Sequence, residues 1–399
     1  MKNYSSSMRR AEEILLGFEK KVKSGSASGG GGGYRGGKVN LKPNTGIKNL
    51  TAAAKGKQEV MLKIPKRNSA NSNNTKGVMN HISYISRNGK LELEDKDGHK
   101  LNGTKAREEI TEKWRKLGLI DDVSGKKQTM NIVLSMSKGV KPEAVLKAGR
   151  DLAKELFNEN HEYVFALHND TDNPHVHLTV TMMGYDGQRL NPKKQDLFKW
   201  RLLFAEKLRE HGVECAATRR QHRGQFQKQE NNVLKRMGER NAESFINQRK
   251  LNALKEAIKE NKRPIHPFLK EQLNTQQLVL KEYKALSKQL YQEGFKSEAK
   301  AISQLAKKLE TAQPVTQDQT TFDNVKKGRY PIGYKVNLIF EELKSKPMDK
   351  VMEAFKEELN VDECKQLAKR CYINGLKTES KKFSELAKEK INLQDIVIN

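Results

Sequence analysis

The chain has few cysteines, few aromatic residues and no long apolar run. Its 399 residues include three cysteines, Cys215, Cys364 and Cys371. Their spacing fits neither a metal knuckle nor a disulfide framework. Three ordinary buried thiols in a reducing cytosol are the expectation. No stretch approaches 18 apolar residues, so no transmembrane helix is expected. Met1 to Arg10 lacks the apolar core and cleavage site of a secretory signal, so none is expected there. Phe, Trp and Tyr make up 6% of the chain, which argues against an extended series of base-stacking platforms. ATP chemistry is missing too. The stretch Gly32-Gly33-Tyr34-Arg35-Gly36-Gly37-Lys38-Val39 nearly spells a P-loop. Val39 stands where a metal-binding hydroxyl is needed, and no strand precedes the glycines.

What the chain has in excess is positive charge. Lys and Arg number 76 against 49 acids, for a net charge of +27. The surplus runs along the whole length. Nucleic acid is the leading partner for such a surface, and an anionic membrane the second.

Histidine is concentrated as well. Nine occur in the chain, and three of them fall in the ten residues His168-Asn169-Asp170-Thr171-Asp172-Asn173-Pro174-His175-Val176-His177. Tyr163 to Leu167 reads as a strand, Asn169 to Pro174 as a turn, and His175 to Met183 as a second strand. Residues i and i+2 of a strand share a face, so His175 and His177 point the same way. A hairpin brings His168 opposite them. Three converging imidazoles suit a divalent metal with an open position. Asp170 stands at the hairpin's edge, either to orient a metal-bound imidazole or to accept a proton. Metal and basic charge together point to phosphodiester chemistry, with either water or a side chain as nucleophile.

Composition divides the chain into three parts. Residues 1–56 read as a flexible arm, with a short helix over Glu12–Val22 and a Ser/Gly-rich stretch over 24–37. Residues 57–228 alternate strands and helices around the histidine hairpin. They predict an α/β (α+β) two-layer sandwich on a central, largely antiparallel sheet of about five strands. Its helices are expected over 77–87, 106–117, 142–157 and 197–211, and its other strands over 60–64, 91–94, 130–136 and 213–217. Residues 229–399 predict an all-helical region. It holds a repeat, 286–309 and 367–390, offset by 81 positions, each copy a helix, a Gly-centred turn and a helix. The repeat is expected either to dock a partner or to fill out a bundle.

The segment His168–His177 resembles the H-x-D-x-x-N/H-P-H-x-H signature of conjugative relaxases, members of the His-hydrophobe-His (HUH) endonucleases. Asn173 stands where some members carry a fourth His. The run Val78-Met79-Asn80-His81-Ile82-Ser83-Tyr84-Ile85-Ser86-Arg87-Asn88-Gly89-Lys90-Leu91-Glu92-Leu93 resembles the nucleophile motif of the branch that includes the T-DNA border nickase. Ile132-Val133-Leu134-Ser135-Met136 resembles the middle motif, and Thr218–Gly224 the basic end of the catalytic domain. The likeness covers roughly residues 58–225.

The resemblance implies that Tyr84 is the attacking residue and that Ser135 contacts DNA near the nick. Arg87, Arg219, Arg220 and Arg223 are the candidates for further DNA contacts. It implies site- and strand-specific nicking at a plasmid origin of transfer, with a 5′-phosphotyrosyl intermediate that needs no ATP to reseal. A divalent ion is implied, Mg or Mn in the first instance, with other divalent ions compatible with imidazole ligands. Single-stranded or supercoiled plasmid DNA, a type IV coupling protein and its secretion system, and accessory relaxosome proteins are the implied partners. The implied location is the bacterial cytoplasm, with transfer into the recipient cell. The competing readings are a rolling-circle replication initiator, a non-catalytic DNA-binding or pilot protein with a structural metal, and a hydrolytic metallonuclease using water.

Overall fold

The computed structural model describes residues 5–17, 39–65, 73–123, 125–226, 237, 245–329 and 334–398. The Ser/Gly-rich stretch 24–37 lies outside the described residues. The chain forms two compact units. Unit 1 comprises 1–225 and 274–312, and unit 2 comprises 226–273 and 313–399.

Unit 1 is built on a sheet. In chain order its strands are β1 (Gln58–Glu59), β2 (Met61–Lys63), β3 (Leu93–Asp95), β4 (Lys100–Leu101), β5 (Thr129–Ser135), β6 (Tyr163–His168), β7 (His175–Thr181) and β8 (Cys215–Ala216). Six of them form one sheet in the order β2-β5-β7-β6-β3-β4, and every pairing within it is antiparallel. The short β1 and β8 pair in parallel beside it.

Alternation gives the sheet two different faces. Leu134, Ile132, Val176, Leu178, Val180 and Phe165 share one face and are buried. The helix α5 (Pro142–Phe157) packs there, with Pro142 in its first turn and Val145, Ala148, Leu152 and Leu156 buried at helical spacing. A Cβ on its Gly149 would meet Val176 and Leu134 at 3.4–3.5 Å, so the glycine lets helix and sheet approach closely. The helix α6 (Lys194–Glu210) packs beside α5. On the other face, Val164 and Ala166 join a core with Val78, Ile82 and Ile85 of α3 (Thr75–Ile85) and with Ile110 and Trp114 of α4 (Ala106–Lys116). The three histidines lie on this second face.

Helix α3 starts and stops two residues before the expected bounds, and both shifts have local causes. The Asn74 side chain caps it by accepting from Gly77 N at 2.8 Å. Arg87 and Asn88 then take left-handed conformations, with φ of 53° and 58°.

Part of the expected arm is ordered into unit 1. The helix α1 (Ser6–Leu16) begins where the Ser5 hydroxyl accepts from Met8 N, and it buries Ala11, Ile14 and Leu15. It packs on α2 (Thr45–Ala54), where Gly46 N donates to Glu12 at 2.7 Å. The short helix expected over Glu12–Val22 thus lies earlier, at Ser6–Leu16, and α2 is an unexpected helix, because it adjoins the Ser/Gly stretch.

The first copy of the repeat also belongs to unit 1. It consists of α8 (Leu269–Gln292, from Asn274 onward) and α9 (Lys296–Thr311). Helix α9 packs on α2 and on the 3-10 turn Arg220–Arg223. Tyr283 is fully buried and donates to the His222 carbonyl at 2.9 Å. Glu293, just after α8, accepts from Ser7 N at 3.0 Å, and Glu282 of α8 pairs with Arg10.

Unit 2 is all-helical. Its helices are α7 (Phe245–Lys259), α10 (Gln317–Lys326), α11 (Tyr334–Glu342), α12 (Met348–Phe355), α13 (Val361–Ile373) and α14 (Lys377–Ile398). The second copy of the repeat, α13 and α14, shares a core with α11 through Leu367, Cys371, Phe383, Val336 and Phe340. No described helix of the chain is long and apolar enough to cross a membrane.

Two predictions follow from unit 1. A chain ended at residue 228 lacks the hairpin that covers α2 and the 220–223 turn. By thermal circular dichroism it should melt about 5–10 °C below a chain ended at Ala312, and equal melting would show that the hairpin adds nothing to the unit. The second concerns His222, which is completely buried. Burial, with Arg219 and Arg223 nearby, pushes its pKa down to about 3, whereas in the unfolded chain it titrates near ~6.5. The neutral ring therefore contributes its stability fully above ~6.5, and that contribution is lost as pH falls toward 3. The slope is at most about 1.4 kcal/mol per pH unit. Urea unfolding of a folded His222→Gln variant should show a flatter acid limb, and an unchanged limb would remove His222 from the account.

Candidate metal and nucleophile centre

The antiparallel register sets the site. His168 of β6 faces His175 of β7, and His175 faces Ser135 of β5. His177 follows two residues along the same face, opposite Ala166 and Val133. The imidazole centroids are 4.5 Å apart for His168 and His177, 5.1 Å for His168 and His175, and 5.2 Å for His175 and His177. One ligand atom from each ring lies within 4.8 Å of the others. His168 and His177 are buried, and His175 is half-buried at the mouth.

Backbone carbonyls orient two of the rings. His168 Nε2 lies 2.7 Å from the Ile85 carbonyl, and His175 Nδ1 lies 2.9 Å from the Asn173 carbonyl. A ring N–H donated to a carbonyl leaves the other nitrogen as the lone-pair donor, as metal-ligating histidines require. His168 Nδ1 is that nitrogen, and it is buried with no hydrogen-bond partner among the described residues. A buried imidazole nitrogen without a partner is costly unless a ligand takes it. Burial also lowers the His168 pKa, so the ring stays neutral and able to coordinate. The residues present thus fit a divalent ion, and the donor set of three imidazoles suits Mn, Co, Ni or Zn by softness more readily than Mg.

Tyr84 sits beside these rings. It is exposed, its ring is edge-on to His177 with centroids 5.9 Å apart, and it stacks on His81 of the preceding helical turn at 6.3 Å. Arg87 places its guanidinium 5.9 Å from the Tyr84 ring. The same guanidinium donates to Asp170 Oδ2 at 2.6 Å. The turn that aims Arg87 is built by Ser83, whose hydroxyl donates to the Asn88 side chain and whose carbonyl accepts from Asn88 N, both at 2.8 Å. Gly89 follows at φ +82°, where a Cβ would fall 2.4 Å from the Gly103 carbonyl carbon. No other residue fits there.

The structure therefore brings Tyr84, Arg87, Ser135, His168, Asp170, His175 and His177 to one end of the sheet. Asp170 rests on Arg87, and the Ile85 and Asn173 carbonyls orient His168 and His175. The Ser135 hydroxyl lies near the Pro174 carbonyl at 3.4 Å, across from His175. Asn173 pins the loop, its side chain accepting from Lys138 N at 3.1 Å.

The basic exit is engaged elsewhere. Arg223 pairs with Glu59 at 2.8 Å and donates to the Thr218 hydroxyl at 2.7 Å. Arg219 lies 4.0 Å over the Phe198 ring. Arg220 opens the 3-10 turn. Sequence reasoning missed the part played by His81, although its place three residues before Tyr84 on a helix is a legible signal. The carbonyl partners carry no sequence signal.

Part of the chain is similar to known proteins. Residues 84–213 match the family model described as relaxase, MobA/VirD2-like, nuclease domain. The chain is 28% identical over 170 residues to the T-DNA border endonuclease VirD2 of Rhizobium rhizogenes, covering 38% of this chain and 39% of that protein. It is 28% identical over 166 residues to the protein of that name from Agrobacterium fabrum (strain C58), covering 37% of each. The chain thus spans under two fifths of the length of the curated relatives it matches. No solved structure matches.

A metal test follows. Ligand that binds only the folded state adds about 2.7 kcal/mol of stability at a hundredfold excess over Kd. Mn2+ titrated into the full chain should raise its melting temperature, and His168→Ala should remove the increment. An equal increment in that variant would place the ion elsewhere.

Proposed function

We propose that this chain, whose residues 84–213 match a relaxase nuclease domain, nicks one strand of plasmid DNA at an origin of transfer by tyrosine transesterification. The observation that supports this most is an exposed phenol within 5.9 Å of a three-histidine cluster, in a chain carrying +27. The Tyr84 Oη attacks phosphorus, and the P–O bond to the 3′ oxygen breaks. The phenol's proton passes to solvent and the leaving oxygen takes one up as a 3′-hydroxyl. The product is a 5′-phosphotyrosyl ester, whose reversal reseals the strand.

His168, His175 and His177 would hold the divalent ion, Mg or Mn in this reading, which when bound polarises the phosphate and neutralises developing charge. The 56% exposure of Tyr84 leaves its hydroxyl open to an incoming strand. Arg87 supplies a fixed cation beside the phenol. Its ion pair with Asp170 holds the guanidinium in place, and both partners stay exposed enough to exchange with phosphate. Asp170 acts here as a positioning residue for Arg87. Ser135, across from His175, is placed to donate to a phosphate oxygen near the nick.

The nicked strand with its attached chain is then carried by a coupling protein and a type IV secretion system from a bacterial cytoplasm into a recipient cell. Accessory relaxosome proteins would assist at the origin.

The chemistry is tested by incubating the protein with supercoiled origin DNA and Mn2+, then denaturing and digesting with protease. Wild type should give a nick with peptide on the 5′ end. Tyr84→Phe should lower the adduct by at least about a hundredfold, the scale of a lost nucleophile. A free 5′-phosphate in wild type would mean water is the nucleophile, and equal adduct in the variant would exclude Tyr84.

A further inference from the structure

The two repeat copies can be compared position by position. In both, the turn glycine has positive φ, 87° at Gly294 and 81° at Gly375. In both, the residue after it bonds back to the carbonyl four residues before the glycine, Phe295 N to Leu290 O at 2.8 Å and Leu376 N to Cys371 O at 2.9 Å. One hydroxyl has changed helices while keeping its bond. Ser287 donates to the Ala299 carbonyl at 2.8 Å in the first copy, and Ser380 donates to the Ala368 carbonyl at 2.8 Å in the second. The copies are thus the same small structure.

Their faces have diverged unequally. Inner positions that pack each hairpin have changed, as in Tyr283 against Cys364, Leu290 against Cys371 and Ile302 against Phe383, all buried. Several solvent positions have changed too, such as Gln292 against Ile373 and Lys308 against Glu389. The outer groove between the helices has kept its lysines and its tyrosine. Lys284, Lys288, Tyr291 and Lys307 recur as Lys365, Lys369, Tyr372 and Lys388, and all are exposed. Tyr291 is 63% exposed and Tyr372 66%. Packing accounts for a preserved core. It does not account for exposed lysines and a tyrosine preserved over a core in which Leu286, Leu305 and Ala306 recur as Leu367, Leu386 and Ala387 while Tyr283, Leu290 and Ile302 have changed.

In the second copy this face forms a groove of about 440 Å³ lined by Lys365, Lys369, Lys388, Tyr372, Ala387 and Ile391 among others, with no carboxylate in the lining. Among the described residues, none of the three lysines has an ion-pair partner. In the first copy Lys284 is paired with Glu310 at 2.8 Å, and Ile391 replaces that glutamate in the second. The second groove has therefore lost its internal counter-charge.

We propose that the outer groove of α13 and α14 binds single-stranded DNA, with lysine ammonium groups on the phosphates and the Tyr372 ring stacked on a base. Cations beside an exposed aromatic ring are the elements of single-strand recognition. Only an unpaired strand offers a base face to that ring. The low aromatic content of the chain fits one platform per hairpin. This binding is independent of Tyr84 and of strand cleavage.

The test uses the full chain carrying Tyr84→Phe, so that cleavage does not interfere, and a fluorescent oligothymidylate as probe. Each lysine that neutralises a phosphate contributes about −0.7 to the log–log salt slope. Replacing Lys365, Lys369 and Lys388 by Ala should make the slope shallower by roughly 2. Tyr372→Leu should weaken binding about five- to a hundredfold, and Tyr372→Phe should retain it because stacking survives. Crosslinking with an iodouracil-substituted strand should label Tyr372. An unchanged slope and affinity in the lysine variant would overturn the proposal. Loss in the lysine variant with none in Tyr372→Leu would also overturn it, since the groove would then be reading charge alone, as for an acidic protein surface.

Discussion

The hydrogen bond between the Ile85 carbonyl and His168 Nε2 joins the two halves of the site. The last carbonyls of a helix have no partner within it. In α3 one of these is given to an imidazole on the sheet. That bond fixes which nitrogen of His168 faces the other histidines. It also fixes where the end of α3 lies, and Tyr84 is the residue before Ile85. One interaction therefore sets the tautomer of His168 and the position of the Tyr84 phenol. The left-handed turn after α3 extends the arrangement, because it carries Arg87 across to the hairpin loop and its Asp170.

The legible part of this site was its strand register. Spacing placed His175 and His177 on one face, and the turn residues placed His168 opposite, as the pairing shows. The antiparallel sheet followed from alternating segments, and α5 followed from Pro142 and its apolar period. Nothing in composition reveals which carbonyl will meet a ring. The Ile85 and Asn173 partners depend on tertiary approach, and so does the attachment of Asp170 to Arg87. The charge of the Arg219–Arg223 cluster is visible in the sequence, but the pairing of Arg223 with Glu59 and Thr218 inside unit 1 is not.

The chain's division into units was hidden for a related reason. Residues 229–399 look uniform because both repeat copies carry the same helical period and the same small turn. A helical period states that one face is buried, and says nothing of what buries it. The first hairpin buries its face with α2 and the 220–223 turn, where Tyr283 reaches the His222 carbonyl. The second buries its face with α11. Identical local rules thus serve two different tertiary partners, and only contacts distinguish them.

The large positive charge is also divided by structure. Arg150 is bound by Glu94, Arg201 by Glu59, and Arg223 by Glu59 as well. These arginines sit partly buried, where a planar fork can satisfy a carboxylate and offset the cost of desolvation. The lysines of the hairpin grooves are exposed instead. An ammonium group keeps its water until a phosphate displaces it, and its contribution weakens with salt. Arginine thus holds unit 1 together, while the lysines of the second groove stay exposed for a contact that forms and releases.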